Sequence, residues 1–265
     1  MCFVKSNIKL YGHYVMIHVK SMMQYKMSFF LSVLGQFLVS FNIFLGIFFM
    51  FQRFSGVDGF CYWEVLLCFS IMLMEFSLAE SFARGFDEFP SLVKSGEFDR
   101  VLIRPRGTII QVLGSKFELT RCGRILQAVV MFVYGIYKSN IEWNVLKVFT
   151  VIFMLVGGTA LFAGLFLIYA ALSFFTLDGL EFMNIFTDGA REYGKYPIGV
   201  YGKKMLWLCT FIIPYALVQY YPLIYLIGRR QSAIFVFVPL LAILFLIPCQ
   251  ALWKFGVRRY QSSGS

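Results

Sequence analysis

The apolar positions of this chain come in long blocks. Met27–Phe51 carries no charge, and about 20 apolar residues are enough to cross a bilayer. Comparable blocks occupy Phe60–Ala83, Val148–Phe175, Met205–Gly228 and Ser232–Trp253. A sixth block is short: Ile125–Tyr137 offers only 13 uncharged residues, too few for about 30 Å of hydrocarbon at about 1.5 Å per residue. Its helix must reach back through Arg124 and Arg121, so we place it at Leu113–Tyr137. The pattern predicts an all-α polytopic membrane protein. Its single transmembrane domain, 1–265, has six transmembrane helices at 27–51, 60–83, 113–137, 148–175, 205–228 and 232–253.

Residues 1–26 follow a different pattern. Lys5, Lys9, Lys20 and Lys26 alternate with Tyr11, Tyr14, Met16, Ile17, Met22 and Tyr25, which predicts an interfacial helix lying on the membrane surface. In the fifth span, Pro214 and Pro222 stand among four tyrosines. They predict a broken helix with a re-entrant outer portion. In the fourth, Gly157, Ala160 and Gly164 form a small-residue face that lets another helix come close.

Between the second and third spans lies a polar island, Arg84–Arg106, with the sequence RGFDEFPSLVKSGEFDRVLIRPR. It holds nine charges in 23 residues and predicts a structured loop built to touch another protein. A second polar loop is expected at Leu177–Lys204. With both termini cytoplasmic, 19 lysines and arginines fall inside and five outside. The positive-inside rule favours that orientation, which puts both polar loops inside and Ser139 and Arg229 outside.

Composition narrows the function. The chain is 59% hydrophobic and 14% charged, against about 25% charged for a soluble domain. The net charge of +10 therefore suits anionic membrane lipid and not nucleic acid. Six cysteines show no C-x-x-C spacing and only two histidines are present, so neither a metal nor a cofactor is expected. Gly189–Lys195 reads GAREYGK, but Tyr196 stands where a phosphate-binding loop needs Ser or Thr, and no buried strand precedes it. Without a nucleophile–base or paired-carboxylate pattern, the chain is expected to be non-catalytic.

Ionisable groups in hydrocarbon must pair, face a cavity or snorkel. Glu75 lies eight residues above Ala83, and Arg121 eight residues above Leu113. These helices run antiparallel, so Glu75 and Arg121 are a candidate intramembrane charge pair, with Glu80 near the level of Lys116. Arg121 and Arg124 could equally snorkel to phosphates.

The run GFDEFPSLVKSGEFDRVLIRP ahead of helix 3 resembles the permease subunits of bacterial type-2 ATP-binding-cassette transporters. Phe174–Phe175, Tyr196–Pro197, Pro214 and Tyr221–Pro222 add to the likeness. The resemblance implies a multi-pass protein of the bacterial cytoplasmic membrane. It also implies a second permease, identical or homologous, as dimer partner, and separate cytoplasmic ATPase subunits as the energy source. It further implies a coupling helix in the loop between helices 2 and 3. The expected function is thus the permease subunit of an exporter. Coupling residues are expected to be Glu97, Phe98, Asp99, Arg100, Leu102 and Arg104, on a two-turn helix bracketed by Gly96 and Pro105. Phe98 and Leu102, four apart, would enter an apolar cleft on the ATPase, and helices 1, 2 and 5 would line the pathway. The alternative is an ion- or proton-coupled secondary transporter using Glu75 and Glu80, which would usually carry internal repeats; the sequence shows none. A lipid-modifying membrane enzyme would need a nucleophile, base or metal cluster that is likewise not visible.

Overall fold

The computed structural model describes residues 2–54, 56–139, 141–176 and 180–261. Residues 177–179 of the expected second loop, and the side chain of Lys5 in the N-terminal segment, lie outside the described residues. The chain is 80% helical. Among the described residues no strand forms, and β pairing is limited to an isolated Val57–Phe60 bridge. Among the described residues five helices are long and apolar enough to cross a membrane, and there are six if one bent pair counts as a single span. The all-α polytopic expectation holds.

α1 (Cys2–Gln24) turns at Tyr25 into α2 (Lys26–Arg53). α3 spans Tyr62–Asp87. Its start is fixed by Glu64, whose carboxylate accepts the Cys61 N–H at 2.9 Å, a reciprocal cap at a helix N-terminus. Short helices α4 (Phe89–Lys94), α5 (Phe98–Leu102) and α6 (Thr108–Leu113) follow. α7 (Cys122–Lys138) and α8 (Val145–Leu172) return across the bundle.

α3 is the axis of the molecule. Of the most apolar stretch of the α3–α4 span, 89% is buried inside the chain, against 11% for α2. α7 and α8 flank α3 closely because glycines remove side chains at the contacts. A Cβ on Gly135 of α7 would stand 3.0 Å from Leu67, and one on Gly158 of α8 would stand 2.2 Å from the Glu75 carboxyl carbon; Gly123 gives α2 the same closeness to α7, at 2.2 Å from the Val33 carbonyl. The enclosure of α3 corrects the expectation that helix 2 lines a pathway between two permeases: its side chains are spent on its own bundle.

Helix 3 differs from the predicted Leu113–Tyr137. α6 stops at Leu113, the chain crosses Gly114–Glu118 without regular structure, a 3-10 turn covers Leu119–Arg121, and α7 starts at Cys122. The later start is affordable because α7 need not meet the lipid with its charged end: Arg121 and Arg124 are buried against α3.

The last spans are irregular. α9 is Asp188–Tyr193 and α10 is Lys203–Phe211. α11 (Tyr215–Val218) and α12 (Tyr220–Leu226) continue at 90° to α10. The chain breaks at Pro214, which lacks an N–H for the ladder, and again at Gln219. Pro222 sits within the first turn of α12, where a proline is tolerated. α13 (Ile234–Leu241) and α14 (Leu246–Arg259) form one span loosened by Pro239 and a 3-10 turn at Ala242–Phe245. The small-residue face of α8 receives this span: a Cβ on Gly157 would stand 2.2 Å from the Pro239 carbonyl, and one on Gly164 3.2 Å from Cys249.

The predicted second polar loop is not a solvated connection. Ala190, Gly194 and Ile198 are buried. The Gly194 carbonyl accepts from the Cys68 thiol at 3.8 Å and from Gln219 Nε2 at 2.6 Å. Gln219 Nε2 also donates to the Tyr196 carbonyl at 3.1 Å, and its Oε1 accepts the Ile198 N–H at 3.2 Å. One buried amide side chain thus satisfies three backbone groups that hydrocarbon could not.

Candidate functional site

The site is built at the end of α3 where the chain leaves for α4; this is called the loop end below. Three prolines and glycines shape it. Pro90 opens α4, Gly96 leaves it with φ +69°, a left-handed turn that favours glycine, and Pro105 keeps Arg104 out of the helical region. The helix expected over Glu97–Arg104 is therefore shorter, Phe98–Leu102. Such a helix has too few hydrogen bonds to stand alone. It is held from below. Gln111 Nε2 of α6 donates to the Val101 and Arg106 carbonyls at 3.1 and 2.9 Å.

Phe98 provides the main anchor, and here the sequence reading is corrected. Phe98 is fully buried in the chain's own core. Its ring lies 5.0 Å from Phe89, 5.3 Å from Phe174 and 5.0 Å from Tyr260, with Trp253 at 6.4 Å. Burial of one such side chain stabilises by about 1.5–3 kcal/mol. Phe98 cannot also enter a partner's cleft. The helical spacing to Leu102 was right, but α5 puts the two residues in different surroundings. Leu102 is 40% exposed, and Ile103, absent from the sequence-based set, is 83% exposed. Glu97, Arg100 and Arg104 are exposed beside them, and Asp99 is half-buried. The free surface of the loop is an apolar pair, Leu102 and Ile103, set among charges.

Beneath α4–α6 lies a network of four acids and four bases. Glu80 accepts from Arg124 at 2.5 Å and forms ion pairs with Arg121 at 3.3 Å and Arg84 at 3.9 Å. Glu118 takes Arg121 at 2.9 Å and Arg84 at 3.7 Å. Lys116 bridges Glu88 at 2.7 Å and Glu118 at 3.9 Å, and Arg84 also pairs with Asp87. The network ties the end of α3 to the 114–124 segment through charges, beside the apolar contact of Phe82 with the buried Phe117. α1 adds a third layer. Tyr11 Oη donates to the Phe82 carbonyl at 2.8 Å, Tyr14 packs on Gly114, and the His18 ring meets the Gly114 carbonyl at 3.1 Å. Burial pushes the Tyr11 hydroxyl up to about 12, so it stays protonated as a donor at neutral pH.

The structure does not bring Glu75 and Arg121 together. The depth count placed Arg121 eight residues inside a helix; with α7 starting at Cys122, Arg121 stands at the helix mouth, level with Glu80, about one and a half turns nearer the loop end than Glu75. Glu75 is fully buried, with no hydrogen-bond partner on either carboxylate oxygen among the described residues, and it packs on Gly158 of α8, where a Cβ would meet its carboxyl carbon at 2.2 Å. Lys116 likewise meets Glu88 and Glu118 rather than Glu80. Glu118 and Glu88 were missed as network members; their only sequence signal was the excess of unlike charge near Arg84 and Lys116. Among the described residues no group of three or more His, Cys, Asp or Glu could hold a metal ion.

The sequence model described as "ABC-2 family transporter protein" matches residues 37–264. The chain belongs to the ABC-2 transporter family. No curated protein and no solved structure matches it. As an ABC-2 transporter protein it is a membrane permease of an ATP-binding-cassette transporter. The family implies partnership with an ABC ATPase, and its permeases are generally non-catalytic, the ATPase residing in the partner. In this ABC-2 permease the matched region contains α3, the loop and the whole charge network.

Proposed function

We propose that this permease is the membrane subunit of an exporter, driven by ATP that separate cytoplasmic ATPase subunits hydrolyse. In this reading both termini and the loop 88–106 face the cytoplasm, and the permease works as a dimer with an identical or homologous chain. α5 is the coupling helix. Glu97, Asp99, Arg100, Leu102 and Arg104 remain its contact residues, joined by Ile103, while Phe98 serves as the internal anchor.

The observation that carries the proposal is the double fastening of the loop. Phe98 fixes α5 to Phe174 at the end of α8 and to Trp253 of α14, and the ion network fixes the end of α3 to the segment that leads into α7. A push on Leu102 and Ile103 thus reaches four spans at once. Unpaired with a partner, two large exposed apolar residues ringed by arginines have little else to do at the tip of a loop. The basic asymmetry supports the orientation: without Arg191–Lys204, which the fold threads into the bundle, 15 basic residues still stand against five.

Co-purification with candidate ATPases tests the reading. Leu102→Ala with Ile103→Ser should leave membrane yield unchanged and cut ATPase co-elution by at least tenfold. Equal co-elution at equal yield would remove α5 from the contact.

A further inference from the structure

The segment that runs from α9 to the start of α10 has two unlike sides. Its inner side packs on α3. Its outer side is polar at depths where lipid tails would be expected. Arg191 lies 5.4 Å over the Phe76 ring, half-way along α3. Gly194 packs on Met72 and bonds Cys68, which is 19 residues, about 28 Å, from Asp87 at the loop end. Tyr196 Oη reaches Met50 Sδ at 3.1 Å, near the far end of α2. The chain therefore climbs α3 from the level of the ion network almost to the opposite end.

Along this climb the Asp188 and Glu192 side chains are 58% and 52% exposed. Tyr201, Lys203 and Lys204 are exposed further on. Irregular backbone is tolerated at membrane depth only where protein buries it or water reaches it. Here protein buries one side only. A half-exposed carboxylate at the level of Met72–Phe76 cannot face hydrocarbon at acceptable cost. We infer that this side lines a water-filled cavity extending through most of the bundle's depth, and that the cavity favours anionic groups on the transported molecule.

The charge preference follows from the lining. Arg191 pairs with Asp188 and Glu192, and Lys195 pairs with Glu192. Lys203 and Lys204 make no ion pair among the described residues. Four bases against two acids leave an excess of two positive charges. Low-dielectric walls focus such an excess and concentrate counter-ions. The inference rests on the permease reading for its purpose, but it concerns a different face from the coupling loop.

Thiol accessibility in proteoliposomes containing this chain without an ATPase tests it. Glu192→Cys and Tyr201→Cys are each treated with an anionic and a cationic water-soluble methanethiosulfonate, and modification is read at each position by peptide mass. Leu38→Cys, on the exposed apolar face of α2, is the lipid-facing control. Both cavity positions should react at least tenfold faster than Leu38→Cys. The anionic-to-cationic rate ratio at Tyr201→Cys should exceed that of free cysteine by at least threefold. Lys203→Gln with Lys204→Gln should return it to the free-cysteine ratio. In the unmutated chain, a water-soluble carbodiimide with taurine should modify Glu192 and spare Glu75, which guards against misfolded variants. Reaction no faster than at Leu38→Cys, with Glu192 unmodified in the unmutated chain, would mean dry packing against lipid or a second copy, and would overturn the cavity. Fast reaction without a charge preference would overturn the anionic assignment. Neither result bears on ATPase binding, and loss of ATPase binding would leave both untouched.

Discussion

Replacing Glu80 should be the most damaging single change of charge in the molecule. Its carboxylate is the acid that both buried arginines share, at 2.5 Å from Arg124 and 3.3 Å from Arg121. In Glu80→Gln, Arg121 keeps Glu118 at 2.9 Å. Arg124 keeps no ion-pair partner among the described residues, and its side chain is only 9% exposed. Leaving one member of a buried pair uncompensated costs about 3–5 kcal/mol, or roughly two to four decades in the folded-to-unfolded ratio. Arg124→Gln should cost less, about 1–3 kcal/mol, because Arg121 still neutralises Glu80. The double variant should be more stable than the sum of the two losses predicts, by about 1–3 kcal/mol. Reversible unfolding in mixed micelles, followed by tryptophan fluorescence, measures all three. Losses under about 0.5 kcal/mol, or strict additivity, would show that the arginines are solvated independently and that the network does not fasten α3 to α7.

Other changes follow from the same contacts. Gly158→Ala should reduce folded yield because its Cβ would stand 2.2 Å from the Glu75 carboxyl, and Glu75→Ala should restore most of it; no restoration would put the clash elsewhere. Phe98→Ala should destabilise by about 3–5 kcal/mol, measured by the same unfolding assay, whereas Leu102→Ala should be nearly neutral; the reverse order would return Phe98 to the surface. Gln219→Leu takes the side-chain partner from the Tyr196 carbonyl and the Ile198 N–H and leaves the Gly194 carbonyl only the weak Cys68 thiol donor. At about 1–3 kcal/mol for each such group, it should prevent stable folding, seen as loss of a monodisperse peak in detergent.

The spans were legible because hydrophobic blocks of this length have few other uses. Finer features depended on where helices start. Counting depth from Leu113 put Arg121 beside Glu75, but the α6–α7 break, which no proline marks, moved it to Glu80. The spacing of Phe98 and Leu102 showed that both face one way on a helix, yet periodicity cannot say whether the chain itself or a partner covers that face. Apart from Phe89, the aromatic residues that claim Phe98 lie 76 and more positions away. The 188–202 stretch looked like a solvated loop because it is charged. Its buried side is carried by Ala190, Gly194 and Ile198, spaced four apart, a weak signal hidden among Asp188, Arg191, Glu192 and Lys195.

Site-directed cross-linking in membranes tests most directly whether the loop meets the ATPase. A photo-reactive maleimide is placed on Ile103→Cys at the loop end and, separately, on Tyr137→Cys at the opposite end of α7, each in a membrane that also contains the ATPase. Both positions are exposed, 83% and 78%, so reagent access does not decide the outcome. Ile103→Cys should yield a permease–ATPase adduct that weakens when Arg100→Ala and Arg104→Ala are added, and Tyr137→Cys should yield none. An adduct from Tyr137→Cys with none from Ile103→Cys would contradict both the orientation and the coupling role of α5.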